Sequence, residues 1–189
     1  MKTYLPVLVG LGFLTLLVAG YGMSGYNKVV SMDEEVKAAW AQVENQLQRR
    51  YDMIPNLVET VKGIAKQEKD VFIGVAEART RYNNASGTNE KAAAASMVEQ
   101  ALGRLIAVRE DYPELKSNES FLKLQDQLEG TENRISVERG RYNETARNFN
   151  AYTRAVPGRI WASLAGLDRA EYFEMDKVAK NVPKVDFSK

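Results

Sequence analysis

The sequence predicts an all-α protein: an N-terminal single transmembrane helix, then an antiparallel bundle of three long helices plus a short C-terminal helix, four-helix-bundle-like overall. Three observations carry this expectation. Residues 3–27 hold no charged side chain, although 27% of the chain is Asp, Glu, Lys or Arg. Apolar residues then recur at alternating steps of three and four, the spacing of one helix face. No alternating pattern of strand length appears anywhere in the chain.

The uncharged run between Lys2 and Lys28, "TYLPVLVGLGFLTLLVAGYGMSGYN", is long enough for a span of about 20 residues and 30 Å. It places the membrane segment at Tyr4 to Gly22, with Tyr4, Tyr21 and Tyr26 suited to the two interfaces. Gly10, Gly12, Gly20 and Gly22 permit close helix approach, although none has the GxxxG spacing. A cleaved signal peptide is the competing reading, with Lys2 as its basic region. The apolar stretch is long for that, and no A-x-A site follows; Gly20-Tyr21-Gly22 is only permissive, so a retained anchor is favoured. No cysteine follows as a point of lipid attachment. The chain thus divides into an anchor, 1–27, and a helical domain, 28–189. Lys2 lies on one side of the span, with Lys28 and Lys37 on the other among acids that count little for topology. The short basic tail leans towards the amino terminus inside and the domain exported.

Beyond the span, Val29, Met32, Val36, Trp40, Val43, Leu47, Arg50, Ile54, Leu57, Val61, Ile64, Glu68, Val71, Val75, Ala78 and Tyr82 form one heptad-like stripe. Pro55 lies inside it. Proline removes one backbone hydrogen bond and crowds the carbonyl of Tyr51, at a cost of about 3 kcal/mol. The stripe nevertheless stays in register across it, which favours a kinked, continuous helix. A reversal at residues 52–55 would instead give an up-down four-helix bundle. The run "NNASGTNE" (83–90) is a break, with Thr88 or Asn89 as the next cap and Glu90 in the first turn. The second helix, about Glu90 to Asp111, carries Ala94, Val98, Ala101, Leu105, Val108 and Tyr112, broadened by Met97, Leu102 and Ile106; Pro113 stops it. Ser117 or Asn118 caps a third helix reaching about Val156, with Phe121, Leu124, Leu128, Thr131, Ile135, Glu138, Tyr142, Thr145, Phe149, Tyr152 and Val156 on its stripe. Pro157-Gly158 ends it. "RIWASLAGL" adds a helical turn or two. In the remaining tail Trp161, Leu164, Tyr172, Phe173, Val185 and Phe187 are too apolar for water and are expected to dock on the bundle.

The residue inventory bears on function. Setting Lys2 aside leaves 25 basic residues against 25 acidic, a balance that argues against nucleic acid as a partner. With no His and no Cys, imidazole bases, Ser-His-Asp triads, thiolate chemistry and His- or Cys-ligated metals have no residues to build them. "KGIAK" and "GRLIAVRE" lack the phosphate-cradling pattern. Glu68, Asp70 or Glu132 could contribute to a carboxylate-only Mg²⁺ or Ca²⁺ site, but helix acids are far more often a solvated face. No cofactor is therefore expected.

Three polar residues interrupt the apolar stripes: Arg50, Glu68 and Glu138. One reading sends them to water at kinks or bundle ends, their stems packed on apolar neighbours. Another is a buried network, Arg50 with Glu138 or Glu132, that fixes helix register at a cost in stability. A partner-binding surface is the third. The amide- and charge-rich segment 125–150 could serve as an interhelical hydrogen-bond layer or an assembly face.

"AWAQVENQLQRRYDMIPNLVETVKGIAKQE" (39–68), "LQDQLEGTENRISVERGRYNETARNFN" (124–150) and "NVPKVDF" near the end resemble the LemA family of bacterial membrane proteins. The likeness covers nearly the whole chain in the same order. It implies one N-terminal membrane helix, a four-helix-type bundle and no established enzymatic activity; one magnetosome-associated branch is linked to building membrane organelles. The positions that match its first motif are Arg49, Arg50, Asp52, Ile54, Pro55, Asn56 and Leu57. Those of the second are Leu128, Glu129, Thr131, Glu132, Asn133, Arg134 and Ile135, with Tyr142 and Asn143 following. Ile64 and Gln67 stand where the family often has an aromatic residue and a histidine. The candidate interaction or register residues are therefore Arg49, Arg50, Asp52, Pro55, Asn56, Glu68, Glu129, Glu132, Asn133, Arg134 and Glu138. The expected function is a non-enzymatic scaffold in the bacterial inner membrane, with the bundle on the periplasmic side. It would self-associate as a homo-oligomer or dock other membrane proteins; the alternative is a regulatory adaptor of a membrane-bound protease or signalling enzyme.

Overall fold

A computed structural model of the chain describes residues 5–174, with side chains from Val9 onward. Every regular element among them is helical: α1 (Leu5–Ile64), α2 (Lys69–Asn84), α3 (Gly87–Ala107) with a 3₁₀ turn at Val108–Glu110, α4 (Pro113–Lys116), α5 (Glu119–Arg154) and α6 (Gly158–Ala165). The described residues fall into two compact units, 5–40 with 141–170 and 41–140 with 171–174. Both α1 and α5 contribute to each.

In the first unit, α1 begins with apolar side chains that nothing covers: Val9, Phe13, Leu16 and Met23 are all more than half exposed. By length and composition this helix is sufficient to cross a membrane. The uncharged part described, residues 5–27, is about 35 Å long at 1.5 Å per residue, enough for a hydrocarbon core. Burial starts at Val29 and continues with Val36. There α1 meets the end of α5, which contributes Tyr142, Ala146 and Phe149 to the core. The pairs run antiparallel: Trp40 packs on Tyr142 with ring centroids 5.3 Å apart, and Lys28 Nζ sits 4.6 Å above the Tyr152 ring.

Helix α6 packs on α1 through Trp161, whose Cη2 would lie 3.4 Å from a Cβ on Gly22 and whose Cδ1 would lie 2.6 Å from one on Gly25. Only glycine lets the indole approach so closely at Gly25. Gly166 ends α6 in the left-handed region, φ 65°, so that Leu167 N–H reaches the Ala162 carbonyl at 3.0 Å. The chain then returns to α5. The Asn150 side chain donates to the Ala170 carbonyl at 2.8 Å and accepts its N–H at 2.9 Å. Two expected core residues are not core. Val156 is 80% exposed and Leu164 68%, because the turn after Arg154 and the buried Gly158–Ala162 side of α6 point them outward.

In the second unit α1 passes through Pro55 without a break. Ile54 and Leu57 are buried on either side of it, so packing offsets the lost hydrogen bond. Residues 52–55 are thus helical, but the expected run to Tyr82 is corrected. α1 stops at Ile64, and residues 65–68 reverse the chain into α2. Ala65 N–H still bonds the Val61 carbonyl at 2.7 Å, then Glu68 N–H reaches back to Ala65 at 3.2 Å. Ala65 is fully buried, so the turn is pinned by packing rather than by glycine or proline. A hairpin results, and Tyr51 of α1 stacks on Tyr82 of α2 with centroids 4.0 Å apart.

α3 starts at Gly87, earlier than a Thr88 or Asn89 cap would place it. Ser86 holds the cap position, and its N–H donates to the Glu90 carboxylate at 2.9 Å. Ala92, Ala94, Val98, Leu102 and Leu105 face the core, whereas Met97 is 37% exposed. Pro113 does not stop a helix here; it opens α4, where a missing N–H costs nothing. Asn118 accepts the Phe121 N–H at 2.9 Å and caps α5. Its buried Phe121, Leu128, Thr131 and Ile135 complete a core shared by α1, α2, α3 and α5. Phe173 of the tail is also buried, with the Arg139 guanidinium 5.3 Å from its ring. Val185, Phe187 and the "NVPKVDF" stretch lie outside the described residues.

Candidate functional site

The two sequence motifs meet in the second unit, where α1 faces α5. Arg50 projects from the core-facing stripe of α1, and its guanidinium forms an ion pair with the Glu132 carboxylate of α5. The arginine side chain is 12% exposed and the glutamate 35%. Leu47 and Ile54 before and after Arg50 are buried, which keeps the pair away from bulk water on the α1 side. Arg50 Nε has no protein acceptor, nor do the buried Gln46 Oε1 and Tyr51 hydroxyl close by on α1 find partners. A charged pair in such a place contributes little net stability, because desolvation offsets attraction; losing one partner is costly because the other charge stays behind. The arrangement joins α1 to α5 through one partly buried ion pair.

Beside the pair, a cleft of about 530 Å³ is lined by Arg49, Asp52, Met53, Lys123, Asp126, Gln127, Gly130, Thr131 and Arg134. Arg49, Lys123 and Arg134 are exposed, and Asp52 accepts from Gln48 Nε2 at 2.8 Å. Thr131 is buried, its hydroxyl donated to the Leu128 carbonyl at 2.8 Å. The cleft thus presents two acids and three bases on motif-bearing faces of both helices.

The remaining candidates are dispersed. Pro55 is half-buried inside α1. Asn56 is exposed, with its backbone carbonyl accepting the Thr60 hydroxyl at 2.8 Å. Glu129 accepts from Gln125 at 3.0 Å on the α5 surface, and Asn133 is exposed. Glu138 lies further along α5, half-buried. Glu68 stands in the reversal before α2, where the Tyr112 hydroxyl donates to it at 3.1 Å; that bond raises the Tyr112 pKa. Glu68 and Glu132 are therefore engaged separately, and no acidic group suited to a metal gathers among the described residues.

Sequence reasoning missed two contacts. Lys91 of α3 pairs with Glu44 of α1, and Tyr51 stacks on Tyr82 beside them. Burial pushes both phenols up, Tyr82 to about 12 with the nearby Glu44 charge adding to the effect, and Tyr51 further still, against the opposing Arg50 charge. Tyr82 was visible on the α2 stripe. Tyr51 was not, because it lies one residue beyond the anomalous Arg50.

An all-helical chain whose first helix is long and apolar enough to cross a membrane defines the class of protein. The model of the LemA family matches residues 39–187, and the chain belongs to that family. It is similar to the magnetosome proteins MamQ 2 and MamQ 1 of Paramagnetospirillum magneticum. Each is 29% identical over 184 residues, covering 84% of this chain and 67% of theirs. The magnetosome protein MamQ of Magnetospirillum gryphiswaldense is 26% identical over 205 residues, covering 95% of this chain and 73% of its own.

Proposed function

We propose that the chain is a non-enzymatic, single-pass membrane scaffold whose helical domain self-associates or docks partner membrane proteins in the bacterial inner membrane, on the periplasmic side. The observation that carries this reading is the continuity of α1. One helix begins with uncovered apolar side chains and, without a break, supplies Val43, Leu47, Ile54 and Leu57 to a packed core. Chemical crosslinking in membranes, with a topology reporter fused at Lys189, tests it. Specific crosslinked species of this chain and an exported reporter are expected; a strict monomer with no crosslinked product would sink the scaffold.

The cleft supports a second reading, an adaptor that regulates a membrane-bound protease or signalling enzyme. Its exposed Arg49, Lys123 and Arg134 surround a concave surface beside the Arg50–Glu132 pair. A crosslink to a different protein that disappears in Arg50→Ala, with helix content retained, would favour the adaptor over self-association.

A further inference from the structure

We infer that α6 is a second membrane contact, a short helix lying in the lipid interface beside the α1 span, with Ile160 and Leu164 directed into the bilayer. The inference rests on the reading of the apolar start of α1 as a membrane segment.

Val156, Ile160 and Leu164 are 80%, 52% and 68% exposed. Ile160 and Leu164 lie four residues apart on one face of α6, and Val156 stands in the turn that leads into it. The opposite side of the same helix is fixed in place. Gly158 and Ala162 are buried, and Trp161 packs against Gly22 and Gly25 of α1. Those glycines stand at the end of the exposed apolar run, between Tyr21, 64% exposed, and Tyr26, 42% exposed. The apolar row on α6 is therefore held where the span meets water, continuous with a surface that already requires lipid.

The indole is held against α1: its six-membered ring lies against Gly22, and its buried Nε1, with no hydrogen-bond partner among the described residues, lies against Gly25. Charge agrees. Arg154 and Arg159 are exposed at the two ends of the turn into α6, and Lys28 lies on the Tyr152 ring. Apolar side chains flanked by cations are the pattern of a helix lying on an anionic membrane surface. Isolated exposed apolar residues such as Ile73 and Val137 show none of these features and need no explanation.

The chain has no cysteine, so one introduced cysteine gives a unique site for an environment-sensitive fluorophore. Full-length Ile160→Cys and Leu164→Cys variants would be labelled in vesicles of phosphatidylethanolamine and phosphatidylglycerol, with some lipids brominated either near the headgroup or deep in the chain. Leu14→Cys is the span reference and Glu144→Cys, exposed on α5, the water reference. Labels at Ile160 and Leu164 are expected to shift to the blue and to be quenched by shallow bromines, Leu14 by deep ones, and Glu144 by neither. If the α6 labels behave like Glu144 while Leu14 is quenched, the interfacial helix is wrong and the span stands. Blue-shifted α6 labels that bromine does not quench would mean a protein covers the row, which also overturns the inference. If Leu14 is unquenched, the span reading fails and takes this one with it.

Discussion

In the first unit the contacts between helices include an indole on two glycines, Trp40 against Tyr142, and Lys28 over the Tyr152 ring. In the second they include Arg50 with Glu132 and Glu44 with Lys91, ion pairs that join α1 to α5 and α1 to α3. The ion pairs Lys37–Asp33 and Arg147–Glu144 of the first unit each stay within one helix, where such pairs add little. Rings on glycine hold by shape and tolerate a wet or an oily neighbour alike. Partly buried charges hold by complementarity and select one register over another. Rings on glycine thus hold α6 in the first unit, and partly buried charges join α1 to α5 and α3 in the second.

The most severe way to break that contrast is to remove the carboxylate. Glu132→Ala leaves the Arg50 guanidinium nearly buried and unpaired, and an unfolding cost of about 3 kcal/mol is expected. Replacing both, Arg50→Met with Glu132→Leu, should recover most of it, because the desolvation penalty disappears together with the attraction. Denaturant titration of the detergent-solubilised chain, followed by circular dichroism, gives both values. A Glu132→Ala chain as stable as the parent would show the pair to be incidental.

Next in size is Gly25→Leu. The new side chain occupies the space of the Trp161 indole, and overpacking costs about 2 kcal/mol. The effect should be local: in a Trp40→Phe background, the remaining Trp161 emission is expected to shift as α6 is displaced. Unchanged emission would mean that the glycine contact does not hold α6. Together these variants sharpen the comparison, since one acts through charge and the other through volume.

Much of this is legible in the sequence. A charge in an apolar seam demands a partner, so Arg50 pointed to a carboxylate on the other motif, with Glu132 and Glu138 as the choices. The helix through Pro55 was legible for a related reason, because the apolar register did not change there. The reversal at residues 65–68 was not. "AKQE" has no glycine or proline, and the seam steps from Ile64 to Glu68 as though the helix continued. Glu68 in the stripe was the one trace of it. Val156 and Leu164 misled for other reasons: Val156 continues the α5 stripe by spacing, but α5 ends at Arg154, and Leu164 is apolar, but Gly158, Ala162 and the indole of Trp161 turn the other side of α6 inward. Periodicity identifies a face, and only packing says what covers it.

The smallest effect at neutral pH concerns the Tyr51–Tyr82 stack. Both phenols lie among apolar neighbours, which disfavours the phenolate, and the Glu44 carboxylate adds to this at Tyr82. Unfolded tyrosine ionises near 10, whereas Tyr82 in the fold holds its proton to about 12. Above pH 10 the folded chain therefore binds more protons than the unfolded one, and stability falls as pH rises. The contribution is complete below pH 10 and is lost as pH passes through about 12. Tyr82→Phe keeps the ring in the stack and removes the ionising group. Its thermal midpoint should match the parent near pH 8 (a pH chosen about two units below the ordinary phenol pKa) and decline less steeply above 10. Parallel alkaline declines in the two proteins would show that the stack is not where the second unit yields to base.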